Sequence, residues 1–172
     1  MENVPLPFPI STSRLLIRQA LRGDMRGWSA LYRSPKPRRH LNGPLQRSAK
    51  AWWTGQQQVF SNVDQPLSIA LRETDELVGV CGYLKGSARG EWEVWLILRA
   101  KFWRKGIGAE VVDSLVNTAF NSLGATRVIG IVDPSNHASV TMIKKLGFGF
   151  VSNYSGNLEW QIGHQIFDIQ KK

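Results

Sequence analysis

The stretch that decides the fold is Trp103-Arg104-Lys105-Gly106-Ile107-Gly108-Ala109-Glu110. The apolar run Val94-Trp95-Leu96-Ile97-Leu98 precedes it and is typical of a strand. After it, apolar residues recur at helical spacing, at Val112, Leu115, Val116, Ala119 and Leu123. The sequence therefore predicts a strand, a basic turn with two glycines, and a helix, in that order.

This turn has the properties of an anion-binding site. Glycines let backbone N–H groups approach a ligand closely, and the N–H groups of a first helical turn have no intrahelical partners. The positive end of the helix dipole favours an anion there, most often phosphate. Arg104 and Lys105 add mobile positive charge. We therefore predict that residues 104–109, the cradle turn, bind a pyrophosphate.

Composition limits the class of protein. A chain of 172 residues with 42% hydrophobic residues predicts one globular domain over residues 1–172. Its net charge of +9 favours anionic partners, without choosing among a nucleotide cofactor, RNA and an acidic protein. The three histidines and the single cysteine, Cys81, lack metal-ligand spacing, so we expect no metal and no intrachain disulfide. We find no membrane-spanning run and no secretory signal, so we expect a cytoplasmic protein.

The rest of the chain predicts an α+β fold. Strands are expected at residues 13–19, 66–72, 76–84, 91–98, 127–132, 148–152 and 158–166, and helices at 24–32, 48–60, 107–123 and 136–145. Short turns make the second to fourth strands an antiparallel meander, whereas the crossover through the cradle helix makes the fourth and fifth strands parallel. The segment Lys36 to His40 is expected to be a basic loop, either solvated or in contact with an acidic substrate or RNA phosphate.

Two motifs carry a resemblance to a known family. Gly106-Ile107-Gly108 matches the end of the pattern Gln/Arg-x-x-Gly-x-Gly/Ala, and Asn136-x-x-Ser139 is followed by Lys145-Leu146-Gly147-Phe148. With the predicted strand–helix–strand around them, these motifs resemble the GNAT family of acetyl-CoA-dependent N-acetyltransferases. Trp103 departs from the Gln/Arg of the pattern. Together with Ser13-Arg14-Leu15-Leu16-Ile17-Arg18, it is similar to the branch that acetylates ribosomal-protein N-termini.

The resemblance implies a GNAT-like, mostly antiparallel sheet of six to seven strands with about four helices. Its fourth and fifth strands would be parallel and splayed, with acetyl-CoA as co-substrate in the split between them. The pyrophosphate would accept backbone hydrogen bonds from the cradle turn, formed by Arg104, Lys105, Gly106, Ile107, Gly108 and Ala109. The pantetheine arm would lie along the strand edge at Leu96 and Leu98, and Asn136 would bond the pantetheine or cap its own helix.

The resemblance also provides catalytic candidates. A neutral amine would attack the thioester directly, so a base must accept a proton. Glu93, ten residues before Trp103, is the candidate base, and Glu91 on the same strand face could share this role, unless either is a solvated carboxylate. Ile143 stands where many members carry a tyrosine. Ser139 is therefore the candidate acid for the leaving thiolate, unless it only satisfies an N–H at the helix end.

The acceptor amine has no motif in the sequence. Our first hypothesis is a protein N-terminus, and the second is a small amine such as a polyamine or an aminoglycoside, which the basic excess of the chain disfavours. A hypothesis from another class is a non-catalytic acetyl-CoA-sensing or RNA-binding module, supported by the basic loop and the missing tyrosine. The paired motifs make nucleic acid the less favoured partner. No membrane partner is expected, and both a monomer and a homodimer are open.

Overall fold

A mixed β-sheet forms the centre of the computed structural model, which describes residues 8–41, 43 and 66–171. The strands are β1 (Ile10–Ser11), β2 (Leu15–Gln19), β3 (Leu67–Leu71), β4 (Leu77–Lys85), β5 (Glu91–Leu98), β6 (Arg127–Val132), β7 (Gly149–Asn153) and β8 (Gln165–Gln170). The helices of the described residues are α1 (Met25–Arg33), α2 (Pro35–Arg38), α3 (Ile107–Ser122) and α4 (His137–Lys145). None of these helices is both long and apolar enough to cross a membrane.

The strand order is β1-β2-β3-β4-β5-β6-β8-β7, and every pair except one is antiparallel. The exception is β5 with β6, whose parallel register joins residues 91–93 to residues 127–129. No pairing follows Glu93 and Ile129, although both strands continue. This confirms the α+β fold with a splayed parallel pair. The sheet has eight strands rather than the expected six to seven, since the two-residue strand β1 adds an edge next to β2.

The two faces of the sheet carry different helices. On one face α3 buries Val111 and Leu115 against strand residues that include Tyr83. On the other face α1 buries Trp28 and Leu31 against strand residues that include Ile97. Successive strand residues point to opposite faces, so odd-numbered residues of β5 share the α1 face with Ile97.

A buried polar network fixes the start of α1. The Asp24 carboxylate accepts hydrogen bonds from Arg18 Nη1 and from Ser68 Oγ, both at 2.7 Å. The Trp28 indole in turn donates to Ser68 Oγ at 2.9 Å. Burial acts to raise the pKa of Asp24, but the bonds from Arg18 and Ser68 lower it below its ordinary value. Asp24 is therefore an ionised structural residue that ties α1 to β2 and β3.

The predicted last strand was wrong. Residues 158–166 were expected to form it, but Glu159–Gln161 is a 3₁₀ turn, Gly163 has a left-handed φ of 84°, and the strand begins at Gln165. Leu158 and Ile162 have strand-like spacing, yet their side chains are 49% and 64% exposed, whereas Phe167 in β8 is fully buried. The helix predicted at residues 48–60 lies outside the described residues.

Candidate active site

The split between β5 and β6 exposes one backbone edge of β5. The Arg99 N–H donates to the Val78 carbonyl at 2.9 Å, in register with the antiparallel pairing of β4 and β5. Because backbone direction alternates in such a pair, the odd-numbered residues of β5 bond to β4. The N–H and C=O groups of Leu96 and Leu98 therefore point toward the split, where the sequence predicted the pantetheine edge, and the Leu98 carbonyl already accepts a hydrogen bond from the Trp103 indole.

The side chains of these two leucines pack under the start of α3. A Cβ atom added at Gly108 would lie 3.0 Å from Met142 Sδ, 3.7 Å from a methyl group of Leu98 and 3.9 Å from a methyl group of Leu96. A larger residue would have to displace Met142 of α4. Gly108 thus lets the first turn of α3 approach the second half of α4 over β5.

The cradle turn has the backbone of an anion site. Arg104 and Gly106 both have left-handed φ angles, 60° and 74°, and Gly106 is the N-cap of α3. Alternating left- and right-handed residues orient successive N–H groups into a concave anion-binding nest. A Cβ added at Gly106 would have one atom within 4 Å, Arg14 Nη2 at 3.5 Å, so the space above the turn is open. These features fit a phosphate group.

Trp103 does not point its polar atom at a phosphate site. Its indole Nε1 donates to the Leu98 carbonyl at 3.0 Å, which closes the connection from β5 to the cradle turn. Two cations lie over its ring, Lys36 Nζ at 5.7 Å and the Arg39 guanidinium at 5.6 Å from the centroid. The tryptophan thus replaces the Gln/Arg of the family pattern with a structural contact.

Residues 35–40, here called the strap, join both sides of the split. His40 Nδ1 lies 2.7 Å from Asp133 Oδ2, directly after β6. Partial burial acts to raise the pKa of Asp133, but hydrogen bonds with His40 and Ser135 lower it to about 2. Arg38 is buried and donates to the Leu41 carbonyl at 2.7 Å. The expected basic loop therefore begins with the short helix α2 and is held by the buried Arg38 and by His40, while Lys36 and Arg39 stay exposed.

Glu93 occupies the point where β5 and β6 part. It is the last β5 residue in register with β6, opposite Ile129, and it lies on the α1 face of the sheet. Among the described residues it has no hydrogen-bond or ion-pair partner. Burial, with a smaller contribution from the charge of Glu91, raises the pKa of Glu93 to about 7. A carboxyl group of this kind can exchange a proton at neutral pH.

Glu91 has a different environment, although the same strand face carries both acids. Its carboxylate accepts hydrogen bonds from Arg127 Nη1 at 2.7 Å and from the Ser87 N–H at 3.0 Å. The side chain is 6% exposed and lies away from the open end of the split, at the paired start of β5. These contacts hold Glu91 as an ion-paired structural residue.

The N-terminus of α4 lies on the β6 side of the split. Asn136 caps the helix, because its side-chain oxygen accepts a hydrogen bond from the Ser139 N–H at 3.3 Å. The Ser139 side chain is half-buried, and its hydroxyl has no hydrogen-bond partner in the part of the chain that the structure describes. Ile143 is buried in the core, where a Cβ on Gly130 would collide with it at 2.6 Å.

Sequence reasoning missed two acids at the edges of this site. Glu110 in the first turn of α3 binds the β1–β2 turn, and Asp133 binds the strap. An acid near a helix N-terminus is common in any protein, so neither residue carried a signal by itself. The Ser13-Arg14 part of the opening motif pointed indirectly to Glu110, since Arg14 is its partner.

Comparison with known proteins identifies the family. A family model described as an acetyltransferase (GNAT) domain matches residues 14–149. The chain is 34% identical over 109 residues to the uncharacterized N-acetyltransferase p20 of Bacillus licheniformis, and this alignment covers 61% of each protein. It is 27% identical over 148 residues to the uncharacterized N-acetyltransferase YoaA of Bacillus subtilis, covering 82% of this chain and 83% of YoaA. The chain belongs to the GNAT acetyltransferase family, which confirms the predicted enzyme class.

Solved structures share the fold. A putative ribosomal-protein-serine acetyltransferase from Vibrio cholerae superposes with a TM-score of 0.80 at 18% identity, covering 96% of this chain and 99% of that one. The spermidine N-acetyltransferase from Vibrio cholerae, in complex with CoA and spermine, has a TM-score of 0.76 at 15% identity, with 92% and 96% coverage. At these identities the likeness concerns the fold and leaves the acceptor open.

Proposed function

We propose that this chain is a single-domain, cytoplasmic N-acetyltransferase that uses acetyl-CoA and acts on a primary amine by direct attack. The observation that carries the proposal is Glu93, a half-buried carboxyl without a partner among the described residues, at the apex of an open strand split. Its pKa of about 7 suits a group that accepts a proton near neutral pH. The cradle turn and the N-terminus of α4 flank the same split.

The residues around the split fit a CoA thioester. Acetyl-CoA supplies the acetyl group in activated form when it is bound. The cradle turn, Arg104 to Ala109, would hold its pyrophosphate through backbone N–H groups, each charge-assisted bond contributing roughly 1.5–3 kcal/mol. The backbone edge at Leu96 and Leu98 would hold the pantetheine arm, and Asn136 would border it while capping α4. The left-handed backbone at Arg104 and Gly106 supports this assignment.

Two side chains would handle protons. Glu93 would accept one from the acceptor amine, directly or through water, on the α1 face of the sheet. Glu91 does not share this role, since Arg127 and Ser87 occupy its carboxylate. Ser139, with a half-buried hydroxyl in the first turn of α4, would protonate the leaving thiolate at the positive end of a helix dipole.

A protein N-terminus is the acceptor that we propose, and its support among the structural neighbours is the putative ribosomal-protein-serine acetyltransferase from Vibrio cholerae. The alternative is a small amine, since another structural neighbour is a spermidine N-acetyltransferase. A polyamine needs several unpaired acids. Of the three acids considered, Glu91 and Asp24 are bound to arginines and Glu93 alone is unpaired within the described residues, while the strap adds Lys36 and Arg39 beside the split. These charges favour an acceptor that is not a polycation, and both a monomer and a homodimer fit the proposal.

Calorimetric titration with CoA, followed by a free-thiol assay on an amine panel, tests the proposal. Gly106→Glu should abolish CoA binding, because it fills the cradle turn with bulk and negative charge. Glu93→Gln and Ser139→Ala should slow turnover by roughly 10²–10⁴-fold and keep CoA affinity. A Gly106→Glu protein that binds CoA normally would disprove the cradle assignment. Thiol release with peptides but not spermidine supports the N-terminus, and CoA binding without thiol release on any amine would identify a non-catalytic module.

A further inference from the structure

The turn between β1 and β2 is hydrogen-bonded to the first turn of α3 through one carboxylate, that of Glu110. Glu110 Oε1 accepts hydrogen bonds from Thr12 Oγ1, from Ser13 Oγ at 3.2 Å and from the Arg14 N–H at 3.1 Å. Glu110 Oε2 accepts from Arg14 Nε at 2.7 Å and pairs with Arg14 Nη2 at 2.6 Å. Burial opposes ionisation of Glu110, yet the bonds from Thr12 and Arg14 keep its pKa below the ordinary value. This carboxylate thus fixes the Arg14 guanidinium in one orientation.

The same guanidinium reaches the cradle turn. Arg14 Nη1 donates to the Lys105 carbonyl at 2.9 Å. In a trans peptide the carbonyl and the following N–H point in opposite directions, and the bond between Lys105 and Gly106 is trans. Holding the Lys105 carbonyl toward Arg14 therefore directs the Gly106 N–H to the side of the turn away from that contact.

The first turns of α3 are also anchored by packing in the core. Ile107 and Val111, in the first turns of the helix, are 4% and 0% exposed and belong to the main core. The Arg14 side chain, in contrast, is 49% exposed. An exposed arginine that makes two bonds to a carboxylate and a third to a carbonyl orients backbone more than it adds core stability.

We propose that Arg14, held by Glu110, is a positioning residue that presents the Gly106 N–H to the phosphate of the ligand. This inference rests on the proposed function, because the ligand is the pyrophosphate of CoA. It differs from simple charge attraction, in which any cation at position 14 would serve. A lysine keeps the charge but cannot bond the carboxylate and the carbonyl in the planar geometry of a guanidinium.

The experiment is calorimetric titration of CoA into the wild-type protein and the variants Arg14→Ala, Arg14→Lys and Glu110→Gln, at 0.1 M and 0.5 M NaCl. Arg14→Ala should weaken binding about tenfold, the loss of one charge-assisted hydrogen bond. Arg14→Lys should recover less than half of that loss. The ratio of the Kd of each Arg14 variant to the Kd of the wild type should be the same at 0.5 M NaCl, where exposed charges are screened. In turnover assays the loss should appear as a raised KM for acetyl-CoA rather than as a lowered kcat, which separates a binding defect from a catalytic one.

Arg72→Ala is the matched control. Arg72 donates to the Thr12 carbonyl at 2.7 Å, so its loss loosens the same β1–β2 turn without touching the cradle turn. Its CoA affinity should match wild type. Equal affinity of Arg14→Lys and wild type, or a defect that vanishes at high salt, would overturn the positioning role, as would unchanged binding in Arg14→Ala. Failure of the wild-type protein itself to bind CoA would instead disprove the proposed function.

Discussion

Replacing Glu93 with glutamine should stabilise the folded protein at alkaline pH while it slows catalysis. Burial and the charge of Glu91 raise the pKa of Glu93 from 4.5 to about 7. A carboxyl group whose pKa is raised on folding contributes stability below its unfolded pKa, and that contribution is lost as the pH rises through its folded pKa. Glutamine has nearly the same shape and no charge to bury, so the variant should keep the stability that the wild type loses.

The magnitude follows from the difference between the two pKa values. At 1.36 kcal/mol per pKa unit, the loss in the wild type approaches about 3 kcal/mol above pH 8. Since the side chain is half-buried and its surroundings can relax, we expect about 1–3 kcal/mol. For a domain of this size, each kcal/mol corresponds to about 2–4 °C in Tm. The Tm of Glu93→Gln should therefore be several degrees above that of the wild type at pH 8.5 and equal to it at pH 4.5.

Thermal unfolding at pH values from 4.5 to 8.5 measures this difference directly. Glu73→Gln is the control, because it removes the same charge from an exposed position on the turn between β3 and β4. Its Tm should follow the wild type across the series, whereas the difference for Glu93→Gln should grow between pH 5 and 8. Parallel curves for Glu93→Gln and wild type would show that Glu93 ionises normally, and its assignment as a base with a pKa near neutrality would fail.

Three further changes test other parts of the site. Glu91→Gln should move the pH midpoint of activity toward acid by up to about one unit, because it removes the nearby charge that helps to raise the pKa of Glu93; the pH dependence of kcat/KM would show this. Asp24→Asn should lower the free energy of unfolding by roughly 1.5–3 kcal/mol, since it removes the buried partner of Arg18 and leaves that guanidinium with the exposed Asp75; urea denaturation would show this. Gly106→Ala should cost about 1–2 kcal/mol of stability because of its left-handed φ, with a CoA affinity far above that of Gly106→Glu; thermal unfolding and titration would separate the two effects.

Local patterns predicted most of the secondary structure. The strands at 91–98 and 127–132 were predicted with the bounds that the structure shows, because continuous apolar runs between turn residues specify buried strands. The helix at His137–Lys145 was predicted within one residue, since Asn136 caps it and Gly147 follows with a left-handed φ of 89°. The last strand failed because apolar spacing alone does not show which side chains are buried.

The roles of the two strand acids could not be separated by sequence. Glu91 and Glu93 share a strand face, and either could have been the base. What distinguishes them is Arg127, which lies 36 positions from Glu91 in the chain and binds it through a parallel register. Likewise, Arg14 and Glu110 are 96 positions apart. Contacts of this range depend on the assembled sheet and have no local signature.

Trp103 shows how a departure from the family pattern redistributes charge. The pattern places a polar or cationic side chain at this position, and here the indole bonds to Leu98 instead. Lys36 and Arg39 lie over its ring, so the strap places positive charge beside the cradle turn. These two cations come from a segment more than sixty residues earlier in the chain. The strap also binds Asp133 beyond β6, and it therefore spans the two strands that part at Glu93. A substitution of Trp103 would thus disturb the positions of Lys36 and Arg39 beside the split as well as the cradle turn.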